Sequence, residues 1–434
     1  MHPTYGLKFC RGADDNFVVL KVLATFFLFN AANAGGAGTR EVYVWQRQFG
    51  TEVVAALQAF QPQIDGCCVL AAEVSWVGGR AHVVRPAIDF RALVAVNKPV
   101  GLALRIGAFS GAFARDDATA IALGELAADL LVTAERAGLT VAELQIDFDA
   151  AESKLAGYRE WLVALRAQVG ATRLVFTALP AWLRHAEFRA LAREADGFVL
   201  QVHSLERPAA REAAFALCDP VRALEWARQA SGVAVPFRVA LPTYGYLLAF
   251  DAGGKFIGLS AEGPRRAWPR GTDLRAIRAD APTMARLAQA LDAATLPNYT
   301  GAIWFRLPVA SDRLNWDAVT LAAVLRGEVP QKRVEVESVR VEAGLVEIVV
   351  ANRGTTTETL PAAVTARWPD EARPLATDGL GGFFLETRGG EAQAVVRAAN
   401  VPADAFIAPG RKVKIAWLRF AHDVSLEVSI PTPP

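Results

Sequence analysis

The chain has 434 residues, of which 53% are apolar and 21% charged, with a formal net charge of +1. That composition describes a globular protein of two or three domains and excludes a largely disordered one. So balanced a charge gives no electrostatic reason to expect nucleic acid or an anionic membrane as a partner. The first feature along the chain is an apolar run from Phe17 to Phe29, broken by Lys21 and followed by Ala32-Asn-Ala34. It is too short to span a bilayer, and it ends in the small-residue pattern of a secretory cleavage site. Lys8 and Arg11 supply the preceding positive charge, although Asp14 and Asp15 fit poorly there. The expectation is a signal peptide over 1–34 and a periplasmic or secreted mature chain with no integral membrane span; an uncleaved anchor is the rival. Cleavage would remove Cys10 and leave Cys67, Cys68 and Cys218, an odd set that makes no disulfide framework. No Cys/His spacing suggests a metal site, and no cofactor is expected.

From residue 41 to about 326, apolar strands alternate with amphipathic helices. The strands read as Glu41–Gln46, Asp65–Trp76, Val100–Phe109, Glu143–Asp149, Arg173–Pro180, Gly197–His203, Pro236–Tyr244 and Gly301–Pro308. Helical patterns lie between them at 118–137, 154–168, 181–195 and 220–231, and Leu123, Leu126, Ala127, Leu130 and Leu131 form a buried stripe. Eight such units predict a (β/α)8 TIM barrel over 35–328. An open doubly wound sheet is the competitor, but no Gly-x-Gly-x-x-Gly follows the first strand. The stretch 247–280 reads as a long loop insertion after the seventh strand. Beyond Pro330 the period drops to two, in Arg333–Glu342, Leu345–Val350, Lys412–Phe420 and Val424–Ile430, which predicts a small C-terminal β-sandwich over 329–434.

The stretch Glu143-Leu-Gln-Ile-Asp-Phe-Asp149 carries the chemistry. Asp147 and Asp149 stand two apart on a strand, so their carboxylates share one face, roughly 6–7 Å apart. Close carboxylates repel, and one of them then holds a proton near neutral pH. The plainer reading has one Asp capping the next helix and the other paired with an Arg. In a barrel, function gathers at the C-terminal strand ends. These ends deliver Trp45 and Gln46, Glu73, Arg105, Asp147 and Asp149 with Glu152 beyond, Gln201 and His203, Tyr244 and Tyr246, then Trp304 and Arg306. Aromatic faces for sugar rings, with carboxylates and amide or guanidinium donors for hydroxyls, suit a carbohydrate ligand. Each also has a structural reading: Trp45 and Trp304 as core, Arg105 as a counter-ion, His203 as a satisfied core histidine, Glu73 as a core-edge ion pair, Glu152 as a helix-dipole partner.

Residues 41–326 resemble the bacterial family catalogued as domain of unknown function 3142. The resemblance rests on Tyr43-Val-Trp-Gln46, Gln145-Ile-Asp-Phe-Asp149 with Ser153-Lys-Leu, Tyr158 and Trp161, Leu200-Gln-Val-His203, and Ile303-Trp-Phe-Arg-Leu-Pro308. It implies the fold and no activity. More distantly the barrel is similar to chitinase-like family 18 glycoside hydrolases, whose fourth strand carries alternating acids ending in a catalytic Glu. Matching their two Asp to Asp147 and Asp149 puts that Glu at Ala151, with Glu152 one residue late. Leu241-Pro-Thr-Tyr-Gly245 resembles their seventh-strand element, and Trp304 their sugar platform. The resemblance implies a glycoside hydrolase with Asp149 as acid or base, Asp147 holding it, and Glu73 or Glu152 as second carboxylate. A glycan-binding protein without catalysis is the alternative, which Ala151 favours. A metal-dependent deacetylase is disfavoured, because the five histidines include no His-x-x-x-His.

Overall fold

The computed structural model describes residues 38–262, 266–387, 392–403 and 405–431. The expected signal peptide lies outside these residues. Eight parallel strands alternate with eight helices. The strands are β1 (Thr39–Val44), β2 (Gly66–Val77), β3 (Val100–Ile106), β4 (Val141–Phe148), β5 (Arg173–Ala178), β6 (Gly197–Gln201), β7 (Phe237–Pro242) and β8 (Tyr299–Phe305). The helices are α1 (Thr51–Phe60), α2 (Phe90–Val96), α3 (Ala118–Arg136), α4 (Leu155–Val169), α5 (Ala186–Ala192), α6 (Pro220–Ser231), α7 (Ala281–Ala293) and α8 (Ala318–Leu325). Each strand pairs with the next. β1 then pairs with β8 through Thr39↔Gly301 to Val42↔Trp304, and with β2 through Glu41↔Gly66 to Val44↔Val69, so the sheet closes on itself. The chain is a (β/α)8 barrel, as the alternation of strand and helix predicts.

Alternation along each strand sorts side chains into two cores. Outward positions such as Leu102, Leu104, Leu144, Ile146, Phe148, Phe176 and Leu241 pack under the helices. Inward, Tyr43, Cys68, Ala103, Val175, Val199, Ala240 and Ile303 fill the middle of the barrel. Below them Arg238 forms ion pairs with Glu41 and Glu143. Gly101 faces this pair, and a Cβ there would stand 2.9 Å from Glu143 Cγ. Aspartates 89, 117, 219, 280 and 317 cap helices α2, α3, α6, α7 and α8 by accepting backbone N–H bonds, so their placement in the sequence sets where those helices begin.

Three details differ from expectation. The helical pattern at 181–195 divides into a 3-10 turn (Pro180–Arg184) and α5, because His185 between them is extended. β2 continues into an exposed hairpin with Arg80–Val84. The insertion after β7 is a three-stranded antiparallel sheet of Gly245–Phe250, Phe256–Ser260 and Asp273–Arg278. Beyond α8, two four-stranded antiparallel sheets share one apolar core that includes Ile348, Val350, Val364, Val396, Ile415 and Leu418.

Candidate active site

The C-terminal ends of the strands open into a cleft of about 1230 Å³. Its floor is aromatic. Phe305 packs edge-on to Tyr43, Trp45 and Tyr244, with ring centroids 5.6, 5.4 and 5.5 Å away, and lies 5.7 Å from the His203 ring. The peptide joining Phe305 to Arg306 is cis. One side of the floor carries the carboxylates of β4.

Asp147 is only 3% exposed. It accepts a hydrogen bond from Thr177 Oγ1 at 2.8 Å on one oxygen and is bound by Arg105 Nη1 on the other. Both oxygens are therefore engaged by neighbouring strands. Asp149 sits one residue past the strand end, with its side chain 48% exposed and a single ion-pair contact, to Arg105 Nη2 at 3.5 Å. Burial of its surroundings, and then the charge of Asp147, hold the Asp149 carboxyl above its ordinary range, against the opposing pull of Arg105. The strand is fixed from behind. Phe148 packs on Tyr158 and Trp161, and the turn after Asp149 is tied by Trp182 Nε1, which donates to the Ala150 carbonyl at 3.2 Å.

Glu73 reaches the cleft from β2, opposite Arg105 in register. It is held bidentately by Arg47 at 2.6 and 2.8 Å, and that hydrogen bonding lowers its pKa. Gln46 lines the cleft and donates to the Leu307 carbonyl at 2.9 Å; Gln201 lines it from β6. His203 is buried, with Nδ1 3.0 Å from Tyr244 OH and Nε2 without a partner. Burial pushes its pKa down to about 3, so the ring is neutral at ordinary pH. Burial likewise holds the Tyr244 hydroxyl well above its usual range. Arg306 lines the rim and is paired with Asp312.

The cleft thus brings together Trp45, Gln46, Glu73, Arg105, Asp147, Asp149, Gln201, His203, Tyr244 and Arg306. Two expected residues are elsewhere. Trp304 has the opposite parity to Phe305, points to the helical side, is 2% exposed and packs on Trp316 at 5.6 Å. The inward aromatic of β8 is Phe305, which the sequence reading passed over. Glu152 turns away to Arg184 at 2.6 Å and His185 at 2.5 Å, and does not line the cleft. Tyr43, Thr177 and Arg47 were also missed. Among the described residues no group of three or more His, Cys, Asp or Glu could hold a metal ion, and no helix is long and apolar enough to cross a membrane.

Residues 97–310 match the family described as Domain of unknown function (DUF3142). The matched span runs from just before β3 to just past the end of β8 and includes the insertion after β7. No curated protein matches the chain. Among solved structures, the Bacillus cereus spore cortex-lytic enzyme SleL aligns with a TM-score of 0.48 at 14% identity, over 67% of this chain and 74% of that one. A chitinase from Chromobacterium violaceum ATCC 12472 aligns with a TM-score of 0.44 at 16% identity, over 67% and 98%. Chitinase ChiA74 from Bacillus thuringiensis aligns with a TM-score of 0.45 at 9% identity, over 91% and 100%.

The inward alternation on β4 runs Glu143, Gln145, Asp147 and ends on Asp149, because the strand stops at Phe148. Ala151 lies beyond it, exposed, as the residue preceding a 3-10 turn. The terminal acid of the alternating row is Asp149.

Proposed function

We propose that this chain is an exported glycoside hydrolase acting on a poly- or oligosaccharide, with Asp149 transferring the proton and Asp147 as its positioning residue. The unequal environments of these two acids carry the reading. Asp147 is buried with both oxygens engaged, so it orients its neighbour and cannot meet substrate. Asp149 is half-exposed in the cleft and keeps its proton to higher pH than an ordinary Asp, the property of a general acid. Glu73 is biased the other way by Arg47 and stays ionised, as the second carboxylate of a glycosidase must. The aromatic floor offers faces to sugar rings. Export is read from the apolar run ending at Ala34, and the mature chain is expected to begin near Gly35 on N-terminal sequencing.

The test is turnover of a glycan panel by the parent chain and its variants. Asp149→Asn is expected to lose on the order of a hundredfold or more in kcat with the fold intact, since an amide cannot exchange the proton. Asp147→Asn is expected to lose less. It should also move the alkaline limb of the profile to lower pH, because it removes a charge that raises the Asp149 pKa. Full activity in both variants would make this strand structural. A glycan-binding protein without catalysis is the second reading, favoured by Ala151 at the position where the family 18 resemblance puts the catalytic Glu. In that case no glycan is turned over, and Phe305→Ala weakens binding about tenfold.

A further inference from the structure

The charged groups lining the cleft are almost all engaged within the protein, most of them by one another. Four arginines and six carboxylates line it, a formal balance of −2. Arg47 is clamped bidentately by Glu73, although its own side chain is 73% exposed. Arg105 serves Asp147 first and Asp149 second. Arg306 is bound by Asp312, both of them largely buried. Arg313 is engaged as well. The remaining acids are occupied too. Glu52 accepts from Ser311 N–H at 3.2 Å and from its hydroxyl. Glu262 Oε1 accepts the successive backbone N–H groups of Arg313, Leu314 and Asn315, at 2.8 Å for the first and 2.9 Å for the last. Only Asp149 retains a half-exposed carboxyl with one long contact.

Among the described residues, then, each arginine of the cleft already has a partner, and the formal surplus is negative. An anionic sugar entering here would displace an existing ion pair or sit against uncompensated carboxylates. Like charges juxtaposed at an interface are strongly disfavoured. Hydroxyls and amides meet no such cost. Fixed ion pairs can still accept or donate hydrogen bonds to them, and the aromatic floor is indifferent to charge. We infer that the cleft selects uncharged saccharides and rejects chains bearing carboxylate, sulfate or phosphate, through a closed network of internal ion pairs in which Arg47–Glu73 is the exposed member. This inference rests on the carbohydrate reading above and deepens it.

The experiment measures binding to the full mature chain by calorimetry. The probes are thio-linked hexasaccharides of glucose, mannose and N-acetylated amino sugars, which resist cleavage. Each is used in its neutral form, in a form oxidised at C6 to uronate, and in a form carrying an amine at C6. The expected result is that one neutral series binds, its uronate form binds at least about tenfold more weakly at low salt, and its amine form binds no worse than the uronate. The gap should narrow as salt is raised, because the repulsion is screened. Glu73→Gln should narrow it as well, by releasing Arg47. Uronate and neutral forms binding equally at low salt would overturn the inference. So would a rejection that neither salt nor Glu73→Gln changes, which would be steric. If no saccharide of any charge binds, the carbohydrate reading itself fails. Should Glu73→Gln not fold, the salt series on the parent chain decides alone.

Discussion

Removing the arginine at the foot of the barrel should cost stability in a strongly pH-dependent way. Arg238 on β7 binds Glu41 of β1 and Glu143 of β4, with side chains 10%, 17% and 7% exposed. Arg238→Met keeps the bulk and removes the charge. Two charge-assisted hydrogen bonds at about 1.5–3 kcal/mol each set the loss at about 3–6 kcal/mol. This overlaps the ~3–5 kcal/mol typical of breaking a buried pair from one side. The pH dependence follows from Glu41. Its pKa is raised by burial first and by Glu143 as well, while Arg238 is the main opposing influence. A carboxyl with a raised folded pKa stabilises the fold fully below its unfolded value, near ~4.3, and loses that contribution as pH rises through the folded value. Without Arg238 the Glu41 value climbs further. The variant should therefore lie closest to the parent near pH 5 and furthest from it at pH 8. Urea unfolding at both pH values reads this, and adding Glu41→Gln to Arg238→Met should recover part of the loss. A cost below about 1 kcal/mol at pH 8, or an equal cost at both pH values, would refute the reasoning.

His203, with a folded pKa of about 3 against about 6.5 unfolded, contributes stability that is present above pH 6.5 and falls away as pH drops toward 3. Its ring should read as neutral by nitrogen NMR at pH 5, and His203→Phe should flatten that part of the stability profile; a protonated ring at pH 5 contradicts it. Trp304→Ala should lower stability by about 3–5 kcal/mol while leaving glycan affinity in the folded protein unchanged, because the indole packs on Trp316 outside the cleft. Phe305→Ala should do the reverse, weakening binding about tenfold as the loss of an aromatic anchor does. Glu152→Gln should leave turnover and midpoint temperature where they are, since its partners Arg184 and His185 lie outside the cleft.

Strand parity decides which of these positions a sequence can reveal. On β4 polar Glu143, Gln145 and Asp147 alternate with apolar Leu144, Ile146 and Phe148, so the face toward the barrel axis is readable. The coupling of Arg105 to an internal carboxylate is equally readable as the simplest use of a half-buried arginine at a strand end. On β8 the run Gly301-Ala-Ile-Trp-Phe305 is apolar at both parities, because a barrel strand is covered on both faces. Trp304 and Phe305 are then indistinguishable without the register to β7 and β1. On β2 a register shift between Leu70 and Ala72 breaks the alternation before Glu73 is reached. Partners distant in sequence, such as Arg47 for Glu73 or Thr177 for Asp147, leave no local signal at all. The insertion hid its three strands for another reason: its pairing is set by cross-strand register, and its Gly and Arg content resembles a loop.

The free carboxylate lies where it does because of where β4 stops. Down the barrel axis the strand presents a column of polar side chains, each bound to a different neighbour. Glu143 at the foot is bound to Arg238, and Gln145 donates to Tyr43 OH at 2.5 Å. Asp147 is bound to Arg105 and Thr177. Every member below the rim has its partners inside the protein, so none of them can take up or give a proton to a ligand without breaking the packing around it. At Phe148 the ladder ends. The Ala150 N–H turns back to the Phe148 carbonyl at 2.9 Å, and Ala150 itself is buried beneath Trp182. The chain then leaves the axis at Ala151, so an acid there would no longer belong to the column. Asp147 and Asp149 both line the cleft, and of the two only Asp149 has a half-exposed carboxyl. Exposure of a carboxyl on this strand is confined to Asp149 by the point at which the backbone leaves the sheet.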